Sequence, residues 1–201
     1  MSASLVGSEM CIRDRFMIAA FSLNFIMAIS LMIIYKYLSY KTFLSELDGL
    51  TNVMGRKIFL DFCKKIVSQT SSSQSCFIFI DVDYFKNIND TFGHTAGDKV
   101  LKQIAQRLLH NFKNYGKIGR LGGDEFAIIL DQAPSKQELA QKFSTFEEEI
   151  SDLLSASHKV SCSIGAYYFD TPQDFQTIYA IADKMLYEAK ERGRACWVIN
   201  E

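Results

Sequence analysis

Apolar and polar positions change period several times along the chain, and each change marks an element. Phe16 to Tyr35, FMIAAFSLNFIMAISLMIIY, carries no charge, and its one strongly polar side chain is Asn24. About 20 apolar residues at 1.5 Å rise each cross a bilayer core of about 30 Å, so residues 16–38 are expected to form a transmembrane helix. No small-residue cleavage site follows, which argues against a signal peptide. Tyr35 to Leu47 keeps a helical, amphipathic pattern, and residues 39–47 are expected to serve as a connecting stalk.

After Asp48 helical and strand periods alternate. Arg56 to Val67 places Ile58, Phe59, Phe62 and Ile66 on one helical face and ends in the polar loop Ser68 to Ser75. Ser75 to Val82, SCFIFIDV, is a short apolar run between turn signals and reads as a central strand buried on both faces. Gly97 to Phe112 is helical, with Val100, Leu101, Ile104, Leu108 and Leu109 inward. Lys117 to Leu121 and Phe126 to Leu130 are strands that flank a glycine turn, hence a hairpin. Ser135 followed three residues later by Glu138 is a capping box opening a helix to Leu154. Val160 to Phe169 is a strand, Phe175 to Arg192 a helix and Cys196 to Ile199 a last short strand. Residues 48–201 are therefore expected to form an α/β (α+β) domain, a central mixed and largely antiparallel sheet covered by helices.

Composition narrows the function classes. The chain has 201 residues, 48% hydrophobic, which suffices for one domain with a sizeable core plus an accessory segment. With 22 basic against 23 acidic side chains the net charge is -1, so no nucleic acid is expected as partner. The five cysteines form no CxxC pair, and Cys76 and Cys162, in apolar runs, read as small core residues of a reducing compartment. Ser4 to Arg15, SLVGSEMCIRDR, has neither periodicity nor cap logic and resembles the translation of a transposase sequencing adapter. Residues 1–15 are accordingly expected to be non-native and are set aside, with any sensor segment lost upstream.

The chemistry concentrates in a few polar positions at strand ends. Asp81 closes the buried strand, and Asp124-Glu125 occupy the tip of the hairpin after Gly122-Gly123. The glycines supply the positive φ a tight turn needs and leave room for a phosphate or a second subunit. Converging carboxylates repel unless neutralised, and a divalent cation is the usual answer. Magnesium, which takes one or two carboxylates plus substrate phosphates, suits a triphosphate-consuming site, with manganese as a substitute.

The run Arg120-Leu121-Gly122-Gly123-Asp124-Glu125-Phe126 is similar to the signature of the GGDEF family, the bacterial diguanylate cyclases. So is Asp81-Val82-Asp83-Tyr84-Phe85-Lys86-Asn87-Ile88-Asn89-Asp90-Thr91-Phe92-Gly93-His94 with Gly97-Asp98. Asp48-Gly49-Leu50-Thr51 with Arg56, Ser163-Ile164-Gly165, and Ala182-Asp183-Lys184 through Tyr187, Ala189-Lys190 and Gly193-Arg194 follow in family order. The resemblance implies a nucleotide-cyclase, polymerase-palm-like fold and condensation of two GTP into cyclic di-GMP with release of pyrophosphate. It implies a homodimer, because each subunit holds one GTP opposite the other. Asp81, the carbonyl of Val82, Asp124 and Glu125 match the metal site, and Asp124 also matches the group that helps deprotonate the attacking hydroxyl. Asn89 and Asp98 match the guanine readers. Phe85 and Lys86 match backbone donors to the phosphates, Gly122 and Gly123 the turn that borders them, and Lys190 and Arg194 the cationic phosphate contacts. His94 and Arg120 read as structural.

This chain departs from the family pattern at Asn52, Gly55 and Ala195, outside the expected metal shell. More consequential is Lys113-Asn114-Tyr115-Gly116, which stands where many members carry an Arg-x-x-Asp product-inhibition site. Feedback through that site is expected to be absent. A catalytically silent nucleotide-binding module of the same family is the alternative, although such domains usually show an eroded signature. From the resemblance and the apolar span together the protein is expected in the bacterial inner membrane, single-pass, with its catalytic domain in the cytosol where GTP is supplied.

Overall fold

A computed structural model describes residues 17, 20, 21, 23–39, 41, 46–69, 74–155 and 158–200. The chain divides into two compact units, Met1–Ser45 and Glu46–Glu201.

In the first unit, residues 23–39 are helical, and Leu23, Phe25, Ile26, Leu31, Ile33 and Tyr37 are exposed. Among the described residues no helix is long and apolar enough to cross a membrane. Of the span expected over 16–38, residues 17, 20, 21 and 23–38 are described, and all of them are helical. Phe16, Ile18, Ala19 and Ser22 of that span lie outside the described residues, as do residues 1–15 and most of the expected stalk. The stalk's last position, Leu47, is not helical but bridges Met54 in antiparallel fashion.

The second unit is built on a six-stranded sheet. Its elements are β1 (Met54–Gly55), α1 (Arg56–Gln69), β2 (Ser75–Val82), α2 (Phe85–Phe92), α3 (His94–Phe112), β3 (Gly116–Gly122), β4 (Glu125–Leu130), α4 (Lys136–Ser151), β5 (Cys162–Phe169), α5 (Phe175–Glu191) and β6 (Trp197–Ile199). Strand order is β1-β3-β4-β2-β5-β6. The four inner strands are antiparallel, and short parallel pairs, β1 on β3 and β5 on β6, close the two edges.

Alternation along β2 explains why both faces carry helices. Cys76, Ile78, Ile80 and Val82 belong to the core formed with α3 and α4, through Ile104, Leu108, Phe143 and Phe146. Phe77 and Phe79 point the other way, into a second core formed by Phe59 and Cys63 of α1 with Phe175, Ile178 and Ala182 of α5. A strand buried on both faces must be apolar throughout, which is why its sequence shows a run rather than an alternation. The aromatic side chains interlock on the second face: Phe77 meets Phe175 edge-to-face at 5.5 Å, and Phe79 meets Tyr179 at 5.0 Å. Gly165 lets α5 lie against β5, since an added Cβ would come 2.3 Å from Leu186 N.

Two elements escape the periodic reading. α2 has eight residues and is too short for a period to emerge, and β1 has only two. The capping box at Ser135 is half formed: Ser135 Oγ accepts from Glu138 N at 3.2 Å, but the Glu138 carboxylate receives Tyr115 OH instead. Cys63, Cys76 and Cys162 are buried free thiols, and Cys196 is a half-buried one.

Glu147 is the unusual charge of this frame. Its carboxyl projects from α4 to receive Cys162 N at 3.1 Å, at the start of β5. Burial pushes its pKa up to about 8, opposed by that hydrogen bond and reinforced by the charge of Asp83. The folded carboxyl thus holds its proton more tightly than the unfolded one, whose value is near 4.5. Its contribution to stability is complete below that value and is lost as pH rises toward about 8. Thermal unfolding followed from about pH 5 to about pH 8 should show a melting temperature that falls with pH, and Glu147→Gln should flatten the fall.

Candidate functional site

The candidate site lies at one end of β2 and is assembled by strand register. Asp81 pairs with Glu125 across β2 and β4, and with Ser163 across β2 and β5. Asp81 shares the side-chain direction of Phe77 and Phe79, toward α5. There Lys190, in the last turn of α5, meets it with Nζ 2.8 Å from Oδ2. Burial raises the Asp81 pKa, and the charges of Asp124 and Asp83 add to this, while the bond to Lys190 pulls it back. Glu125 is raised in the same way, by burial and then by the charges of Asp81 and Asp124, against Lys190 and Arg56. Asp124 enters through the hairpin: its carbonyl receives Val82 N at 3.3 Å, which binds the turn to the end of β2.

The glycine turn is bulged and open. Pairing between β3 and β4 shifts register between Arg120 and Gly122. Gly122 and Gly123 have φ of 148° and 52°, the region closed to most side chains. A Cβ on either would meet nothing within 4 Å. The glycines are therefore demanded by backbone conformation, and the space around them is free.

Phe85 and Lys86 open α2 immediately after Tyr84, a left-handed residue with φ 54° and no side-chain cap bond. The first N–H groups of any helix have no partner within it, so this end offers backbone donors and the positive end of a dipole to an anion. Asn89 lies one turn further on and packs against Gly97 of α3: an added Cβ at Gly97 would fall 2.0 Å from Asn89 Oδ1. Asp98 follows Gly97 and is exposed. Arg194 stands over the Tyr84 ring, its guanidinium carbon 4.8 Å from the centroid. A cleft of about 290 Å³ opens beside α2, lined by Asp83, Tyr84, Asn87, Phe92, His158 and Lys159.

Asp83, quoted in the motif but given no role by the sequence, ties the site together. It is 4% exposed. Its carboxylate accepts from Ser161 Oγ and Ser163 Oγ, each at 2.7 Å, and from Ala195 N at 3.0 Å. Its own N donates to Ser161 O. One side chain thereby joins the end of β2, the start of β5 and the turn that carries Arg194. Gly97, which makes room for Asn89, was likewise legible as a motif glycine but not as the reason Asn89 can sit there.

The four metal donors expected from the sequence are adjacent but not gathered into a closed shell. Among the described residues no group of three or more His, Cys, Asp or Glu side chains could hold a metal ion unaided. What the register supplies is a neighbouring pair, Asp81 and Glu125, and that count suits magnesium completed by water and substrate phosphate.

The family description "Diguanylate cyclase, GGDEF domain" matches residues 45–196. The chain is 34% identical over 161 residues to the uncharacterized protein YhcK of Bacillus subtilis, covering 76% of this chain and 45% of that protein. It is also 34% identical over 155 residues to the diguanylate cyclase DosC of Escherichia coli, covering 74% of this chain and 34% of DosC. It thus spans less than half the length of these curated relatives. Among solved structures, the GGDEF domain of DgcB from Caulobacter crescentus in complex with c-di-GMP superposes with a TM-score of 0.71 at 26% identity, covering 77% of this chain and 93% of that one.

Two substitutions probe the site's framework. Asp83→Ala strands the buried hydroxyl of Ser163, the part-buried hydroxyl of Ser161 and a backbone N–H, and should lower unfolding free energy by about 2–4 kcal/mol in a denaturant titration. Ala195 has φ 48°, a conformation costly for a residue with a Cβ. Ala195→Gly should raise stability by roughly 0.5–1 kcal/mol in the same titration.

Proposed function

The chain belongs to the bacterial GGDEF family of diguanylate cyclases, and from that premise we propose that it condenses two GTP molecules into cyclic di-GMP and pyrophosphate. The observation that carries the reading is the pairing of Asp81 with Glu125 at the strand end reached by Lys190. Family membership and the c-di-GMP complex of the DgcB domain support the product.

In this reading, Asp81, Glu125, Asp124 and the Val82 carbonyl hold magnesium, or manganese in its place. When bound, the metal neutralises charge developing on the phosphates. The opening N–H groups of α2, at Phe85 and Lys86, receive the β- and γ-phosphate oxygens, and Lys190 and Arg194 add cationic contacts. Asn89 and Asp98 recognise the guanine edge: an acceptor pair for N1–H and the 2-amino group rejects adenine, which lacks both donors. Asp124 draws the proton from the 3′-hydroxyl as that oxygen attacks the α-phosphorus of the second GTP, and pyrophosphate departs in line.

One domain holds one GTP, so the reaction requires a second copy facing the first, and the open space around Gly122 and Gly123 suits that approach. The requirement for GTP places the domain in the cytosol. The usual Arg-x-x-Asp feedback site is absent on this reading. At Gly116, where its acid would stand, a Cβ would come 1.9 Å from Ile129 O, and Tyr115 is engaged by Lys142 at 4.3 Å from its ring centroid.

Incubation of the full chain with GTP and magnesium should yield cyclic di-GMP, identified by chromatography against authentic standards. Asp81→Ala and Glu125→Ala should each reduce the rate at least about 100-fold, the scale of losing a group that stabilises developing charge. Tight GTP binding by a verified dimer without any product would point instead to the silent nucleotide-binding alternative.

A further inference from the structure

Asp48 stands near the point where the chain enters the unit Glu46–Glu201, and several groups fasten it. Its Oδ1 accepts from Thr51 N at 2.9 Å, from Thr51 Oγ1 at 2.6 Å and from Arg120 Nη1 at 3.0 Å. The ion pair is sheltered, with the Arg120 side chain 13% exposed and that of Asp48 25%. Burial works to raise the Asp48 pKa, yet the Thr51 bonds and the Arg120 contact outweigh it and hold the carboxyl below its ordinary value.

The remaining edge of the same guanidinium faces the glycine turn. Arg120 Nε and Nη2 both donate to Gly123 O, at 3.1 and 2.7 Å. That carbonyl belongs to the peptide leading into Asp124 and Glu125. A second arginine grips the same hairpin, with Arg56 Nη1 donating to Leu121 O at 3.0 Å. The backbone follows the same route: Gly55 N donates to Glu46 O at 2.8 Å, and Met54 and Gly55 pair with Gly119 and Arg120. At Gly55 an added Cβ would lie 3.1 Å from Glu46 O, so the entry segment is seated closely on β1. An unbroken series of polar contacts therefore runs from the domain entry to the catalytic turn. A guanidinium suits this place because its planar fork bonds in two directions at once with fixed geometry, which an ammonium does not.

We propose that Arg120 is a positioning residue that ties the peptide before Asp124 and Glu125 to Asp48, so that a displacement of the entry segment is delivered to the turn as a change in its geometry. This rests on the reading above in assigning a reaction to the turn. A displacement of the segment Glu46 to Asp48 would thus reach the carboxylates of the turn without touching nucleotide. Around the turn there is free space, and the bond from Val82 N to Asp124 O is long, at 3.3 Å, so releasing Arg120 loosens the turn locally.

Hydrogen exchange read by mass spectrometry, combined with steady-state kinetics, tests this on the full chain, on Arg120→Lys, on Asp48→Asn and on the double variant. Exchange in peptides covering Gly122 to Glu125 should accelerate about tenfold in each single variant while α4 is unchanged. The kcat should fall about tenfold, with KM for GTP within about twofold, because positioning rather than binding is lost. The double variant should be no worse than Arg120→Lys alone, since the two residues act in one series. Unchanged exchange at the turn, faster exchange throughout the domain, or additive effects of the two substitutions would overturn the proposal. The exchange measurement needs no turnover. A wild-type chain that makes no product would count against the proposed reaction and leave the role of Arg120 to be decided by exchange.

Discussion

Register between β2 and its two neighbours fixes the positions on which the rest of the unit depends. In an antiparallel pair a slip of one residue turns every side chain to the opposite face. Here the register sets Asp81 opposite Glu125 on one side and Ser163 on the other. The same alternation sends Cys76, Ile78 and Ile80 to α3 and α4, and Phe77 and Phe79 to α1 and α5. The apolar cores thus hold in place an arrangement that electrostatics alone would disperse, because half-buried carboxylates at a shared strand end repel one another.

The charges at that end are balanced by groups from other elements, and this makes the site a junction rather than a local motif. Lys190 comes from the end of α5, Asp83 binds the turn carrying Arg194, and Arg120 joins the glycine turn to Asp48. Each tie crosses a long stretch of sequence. Among the described residues, three of the four non-glycine positions with positive φ lie in the same region, at Tyr84, Arg194 and Ala195. Strain of this kind persists where the surroundings over-determine the conformation, as the bonds to Asp83 and Gly123 do here.

Much of the fold was legible because the elements that matter obey simple periods. The bounds of β2 follow from its apolar run, and α1, α3 and α5 from helical spacing, with ends that differ by a few residues. What stayed hidden depends on contacts distant in sequence. The role of Asp83 is defined by Ser161, Ser163 and Ala195, and no spacing in its own motif announces them. Gly97 is legible as a motif glycine, but its reason appears only when Asn89 is seen to occupy the space its side chain would need. The apolar segment at 16–38 is legible from hydropathy alone, and its described residues are helical with exposed apolar side chains.

The central claim is that α2, Asn89, Asp98 and the Asp81–Glu125 pair form one guanine nucleotide site. Equilibrium titration of the full chain with GTP and with ATP, in the presence of magnesium, addresses it most directly. The account predicts GTP tighter than ATP by at least about tenfold, with the preference erased in Asp98→Ala because the reader of the guanine edge is gone. Equal affinities for the two nucleotides, or a preference for GTP that survives Asp98→Ala undiminished, would contradict it.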